Sequence, residues 1–172
     1  MKTALLRSSL VAGSLTGLAC FIYFYVLYAF GQNPFGQYRF MYLPIYALGL
    51  FVAVRYFREQ YNNGVLHGWQ GILIGLIANF IAATLTTLLL WLVMAALQPA
   101  MLDFYKQELV VWLEKAKTEM IKQFGEATYS QTLEQVKQTT AANVAFDVWI
   151  KTWGIGFVIA MAVGVLLRRL PK

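Results

Sequence analysis

The side chains able to do chemistry are few, and their spacing keeps them apart. A thiol and an imidazole can form a nucleophile-base pair when they lie within hydrogen-bond reach, and this chain holds one of each, Cys20 and His67. Cys20 lies about eleven residues into an apolar run beginning near Ser9, about 17 Å along a helix rising 1.5 Å per residue. His67 stands at the edge of a different run. One Cys and one His also cannot build an intrachain disulfide, a zinc site of His and Cys ligands, or a metalloprotease helix with two histidines. A Ser-His-acid set would rest on Glu59, the acid on the same side as His67, and on one connecting loop. Asp147 and Lys151, four residues apart in acid-then-base order near a helix start, read as a self-neutralising pair. No catalytic residue, cofactor or metal is therefore expected, and the chain does not read as an enzyme.

The elements that position these residues follow from composition. The chain is 59% hydrophobic and 13% charged, against roughly 25% charged in soluble domains. That excludes a soluble enzyme core. Its 14 Lys+Arg against 8 Asp+Glu give a formal charge of +6, which in a soluble chain would suggest nucleic acid. Here the basic residues lie between apolar blocks, so no nucleic-acid partner is expected and the lipid bilayer is.

A helix needs about 20 apolar residues to cross about 30 Å of hydrocarbon, and four blocks qualify, at about 9–30, 40–57, 69–97 and 146–167. Gln98-Pro99 marks the end of the third, and Arg168, Arg169 and Lys172 anchor the end of the fourth. The N-terminal run exceeds the apolar core of a signal peptide, so it reads as an uncleaved first span. Four spans put both termini on one side. There, Lys2, Arg7, Arg55, Arg58, Arg168, Arg169 and Lys172 all lie close to span ends, whereas most of the opposing basic residues are dispersed through one long loop. The positive-inside rule then predicts cytoplasmic termini. The fold class is all-α, an integral membrane four-helix bundle forming one domain over 1–172.

The loop of about 100–145 is expected to fold in water as an amphipathic helical hairpin. Leu102, Tyr105, Leu109, Trp112, Leu113, Ala116, Met120 and Phe124 recur at three- and four-residue steps. Pro99 suits a helix start and Gly125 a helix end. Thr128 with Gln131 reads as a capping box for the second helix. The apolar stripe either packs on that helix or on the bilayer surface, or else Trp112, Leu113, Met120 and Phe124 form a docking face for a membrane-protein partner.

Helices in lipid associate where small residues let backbones approach and polar groups find partners. Gly71, Gly75, Asn79, Ala83 and Thr87 recur every four residues in the third span and share a face. Ser9, Gly13 and Gly17 do so in the first, and Gly156, Ala160 and Gly164 in the fourth. Asn79 is expected to make an interhelical hydrogen bond, with a place on a transport path as the alternative. Transport normally shows an ionisable group at mid-depth, and no block has one.

The glycine pair Gly13 and Gly17, the opening Gly68-Trp69-Gln70-Gly71 followed by Gly75, Pro99 after the third span, the charged helical loop and the Arg168-Arg169 tail together resemble the domain-of-unknown-function 4199 family of Bacteroidetes. Gln98 departs from that pattern, which has an acid before the proline. The resemblance implies a multi-pass bacterial inner-membrane protein and supplies no catalytic residues. The expected role is a non-enzymatic component of a membrane assembly or a homo-oligomer, the alternative a small transporter or channel subunit.

Overall fold

The computed structural model describes residues 2–169, with the side chains of Lys2 and Gln37 left aside; the anchoring role expected of Lys172 lies outside these residues. In order they form α1 Lys2–Ala29, α2 Leu43–Tyr61, α3 Gly68–Leu92, α4 Ala100–Lys115, α5 Lys117–Phe124, α6 Glu126–Gln138 and α7 Ala141–Leu166. A tight 3-10 turn, Gln37–Tyr42, leads into α2, and a wide π-helical turn, Val93–Leu97, follows α3. Four helical segments are long and apolar enough to cross a membrane: Thr3–Ala29, Tyr38–Tyr61, Gly68–Leu97 and Ala141–Leu166.

These boundaries differ from the hydropathy blocks for local reasons. The helix of α1 starts ahead of Ser9 because no Pro or Gly interrupts its first turns. Four residues beyond Phe57, α2 ends at Tyr61, its last turn carrying an i,i+4 pair of Arg55 Nε on Glu59 Oε1 at 2.9 Å. It stops where Asn63 and Gly64 take positive φ, 49° and 78°. The start of α7 precedes Phe146 because the Thr140 hydroxyl accepts from the Asn143 backbone N–H, capping the helix at Ala141. Pro99 brings no N–H, and the chain ahead of it widens so that Gln98 N–H reaches the Val93 carbonyl at 2.7 Å.

The segment between the third and fourth apolar helices departs from a simple hairpin. Its first arm breaks at Ala116, giving α4 and α5, and both pack against the returning α6. Gly125 separates the arms at φ 84°. The expected Thr128 capping box does not form. Glu126 suits the positive end of a helix dipole, so α6 starts there, and Thr128 falls inside, donating back to the Phe124 carbonyl at 2.8 Å.

Direct contacts define how the long helices pair. In the seam between α1 and α3, Ser9 Oγ donates to the Ile74 carbonyl at 3.3 Å. One turn on, a Cβ added at Gly13 would lie 2.7 Å from the Ala78 carbonyl oxygen, and one turn further a Cβ at Gly17 would lie 2.9 Å from that of Ala82. Numbers rise together on both helices, so α1 and α3 run parallel. Between α3 and α7 they run oppositely: Gly71 meets Gly164, Gly75 meets Ala160, and Asn79 meets Gly156. Four-residue spacing thus serves both packing faces of α3, because each places small residues one above another. On its other side α1 packs antiparallel to α2, where Ser8 Oγ donates to the Ala53 carbonyl at 3.2 Å.

The end of α7 returns to the α2–α3 connection. Leu66 and Arg169 exchange two backbone hydrogen bonds, at 2.7 and 2.9 Å. The start of α3 is held by Gln70, whose Oε1 accepts from the His67 backbone N–H at 3.1 Å. This assigns His67 to a helix cap, remote from Cys20, which is fully buried.

Candidate functional site

Three places carry polar or exposed side chains beyond simple packing. The first is a buried node where α2, α3 and α7 meet. Tyr46 Oη donates toward Asn79 Oδ1 at 2.6 Å, with the Asn79 carbonyl also within reach at 3.0 Å. Asn79 Nδ2 donates to the Trp153 carbonyl at 3.1 Å. Both Tyr46 and Asn79 are fully buried. Asn79 lies eleven residues into α3, about 17 Å along the helix, where an unpaired amide would be costly. Gly156 makes the arrangement feasible, since any Cβ there would overlap Asn79 Oδ1 and come within 2.7 Å of the Tyr46 ring.

A line of polar contacts climbs from this node along α2 and α7. Tyr42 Oη and Thr152 Oγ1 lie 3.1 Å apart one turn up. At the rim, Asp147 takes Lys151 Nζ at 2.6 Å and Arg39 Nη1 at 3.4 Å. The local Asp147–Lys151 spacing was readable, but Arg39 was not, being 108 residues away in sequence. Below the node α2 contributes apolar side chains, with Leu50, Val54 and Phe57 fully buried.

The remaining packing candidates are also placed. Ala83 is fully buried, and its carbonyl accepts the Thr87 hydroxyl at 2.6 Å. Gly164 lies so close to α3 that an added Cβ would sit 2.5 Å from the Ile72 nitrogen. The α1-facing row of Ile74, Ala78, Ala82 and Thr86 was not singled out from sequence, although its four-residue spacing carried the signal. Thr86 Oγ1 reaches the Gly17 carbonyl at 3.0 Å and so completes that seam.

The outer cap of α4, α5 and α6 is the second place, and it divides the stripe that the sequence put on one face. Leu113 is 3% exposed and Met120 half-buried, while Trp112 and Phe124 are 62% and 63% exposed. Trp112 and Leu113 are neighbours on α4, about 100° apart around the helix, so the face that buries Leu113 leaves Trp112 outside it, and Phe124 is the last residue of α5. Trp112 also borders a cleft of about 520 Å³ with Asn33, Phe35, Tyr38, Tyr105 and Glu108. Phe35 meets Tyr105 edge-on at 5.5 Å. Burial pushes the Tyr105 phenol up, with Asp147 adding to the shift and Arg39 opposing it, so the hydroxyl stays neutral at physiological pH.

The third place is an apolar groove between α1 and α2, opening outward from the helices.

A family model for proteins of unknown function, DUF4199, matches residues 12–169. The chain belongs to the DUF4199 family. The match covers the node and the cap, and the groove from Ala12 onward; of the groove's lining, Ser8 and Val11 precede it. No curated protein and no solved structure matches the chain.

Proposed function

We propose that this DUF4199 chain is a non-enzymatic component of a membrane assembly or a homo-oligomer, anchored by four spans and recognising its partner through the outer cap. The observation that carries the reading is the exposure of Trp112 and Phe124 on helices outside the four apolar segments. Exposed Leu or Phe within a span meets lipid tails and needs no partner. Beyond the spans a large ring left in water marks a docking position, and Trp is the residue most enriched at such contacts. Photo-crosslinking residues at 112 and 124 in the native membrane should capture a protein, either a partner or a second copy. Capture of lipid alone at both positions would put the cap on the bilayer surface and remove the reading.

The proposed setting is a bacterial inner membrane with cytoplasmic termini, supported by Arg7, Arg55, Arg58, Arg168 and Arg169 on the side of the termini. Gln60→Cys and Gln123→Cys, both at exposed positions, should label from the inside and the outside respectively. The buried Cys20 gives no background. External labelling of Gln60→Cys alone would invert the topology.

A second reading, a small transporter or channel subunit, draws on the polar line from Arg39 to Asn79. The full burial of Asn79, and of Leu50, Val54 and Phe57 beneath it, weighs against an open path.

A further inference from the structure

The groove between α1 and α2 has a volume of about 480 Å³. Ala12, Thr16, Ala19 and Gly49 form its floor, between walls that include Leu15 and Leu48, each 63% exposed. Three hydroxyl-bearing residues border it: Thr16 Oγ1 donates to the Ala12 carbonyl at 2.7 Å and Ser8 Oγ to the Ala53 carbonyl at 3.2 Å, while Tyr56 stands beside Arg55 at the end nearest the termini. The floor therefore presents no free donor to a polar guest, and its occupant must be hydrocarbon.

Length and charge select which hydrocarbon. From Ser8 to Ala19 the groove runs eleven residues, about 17 Å at 1.5 Å per residue, and one leaflet of hydrocarbon is about 15 Å deep. A helix from a second copy would cross both leaflets and find a seat over half its length. An acyl chain from the leaflet on the side of the termini would fill it end to end. At that mouth Arg7 directly precedes Ser8, and Arg55 directly precedes the lining residue Tyr56. Arg7 has no ion pair among the described residues, and Glu59 is shared by Arg55 and Arg58. The mouth is net positive, which suits an anionic headgroup.

We propose that the α1–α2 groove binds one anionic glycerophospholipid, an acyl chain lying on Ala12 and Gly49 and its phosphate held at Arg7 and Arg55. The proposal rests on the four helices spanning a bilayer and is independent of what docks on the cap.

The test is native mass spectrometry of the full chain, purified in mild detergent and titrated with phosphatidylglycerol or phosphatidylcholine. One phosphatidylglycerol should be retained per chain, at least about fivefold more readily than phosphatidylcholine. Arg7→Gln should reduce that preference about fivefold and Arg7→Lys should keep it. Ala12→Leu, which fills the floor, should lower retention of both lipids. Equal retention of the two lipids by the unaltered chain, or an Arg7→Gln chain of unchanged preference and unchanged unfolding temperature, overturns the proposal. So does disulfide-linked dimer formed in a bilayer through Leu15→Cys, which would make a second copy the occupant. If Ala12→Leu does not fold, the Arg7 pair still decides.

Discussion

Gly156→Ala should destabilise the protein by about 2 kcal/mol, while Gly154→Ala, two residues away on the same helix, should be neutral or stabilising by up to about 1 kcal/mol. The two glycines differ in what a methyl group meets. At Gly154 nothing lies within 4 Å, and the general gain of replacing a helical glycine applies. At Gly156 the methyl group overlaps Asn79 Oδ1 and crowds the Tyr46 ring. The amide cannot retreat without giving up Tyr46 Oη or the Trp153 carbonyl, so overpacking and a lost buried hydrogen bond add together. Gly156→Leu should prevent recovery of folded protein altogether. Thermal unfolding in detergent, followed by helical circular dichroism, reads the two alanine variants, and the yield of folded protein reads the third. If Gly156→Ala unfolds at or above the temperature of Gly154→Ala, the close approach of α3 and α7 at this level is wrong.

The second large effect concerns the node itself. Asn79→Leu keeps approximate size but removes the acceptor of Tyr46 and the donor to Trp153, at an expected cost of about 1 to 2 kcal/mol. The cost stays in that range because Tyr46 Oη keeps the main-chain carbonyl of residue 79 as an alternative, at 3.0 Å. Tyr46→Phe should cost about as much, by leaving Asn79 Oδ1 with no donor from Tyr46 in a fully buried position. Residues in direct contact do not act independently. The double variant should therefore lose about 1 kcal/mol less than the sum of the single losses. Strict additivity in that cycle would mean the two side chains do not bond.

Much of the architecture was legible because membrane-spanning helices obey short-range rules. The apolar blocks, the stop at Pro99, the break at Gly125 and the small-residue rows are all properties of neighbouring or four-apart residues. Exact helix ends were less so. Thr140 and the Arg55–Glu59 pair extend α7 and α2 past what hydropathy marks. The Thr128 box failed because a better start, Gly125 with Glu126, stood just ahead of it. The cap's stripe misled because it was drawn too wide: Trp112 and Leu113 are adjacent on α4, about 100° apart around the helix, and only Leu113 lies on the face that is buried.

Sequence alone determined an all-α chain with four helices able to cross a membrane, a charged helical segment between the third and fourth, and faces on three spans where backbones could approach. It also named Asn79 as the polar group in need of a partner. Which faces meet was decided only by tertiary structure. The rows on α1 and α7 are chemically alike, and spacing does not say that one meets the Ala78 row of α3 and the other the Gly71 row. Nor does it say that Tyr46, from a third helix, completes the amide, or that Arg39 joins Asp147. Those pairings join positions 33 and 108 residues apart. They depend on how four rods of fixed surface settle against one another, a matter of shape across the whole bundle that no local pattern encodes.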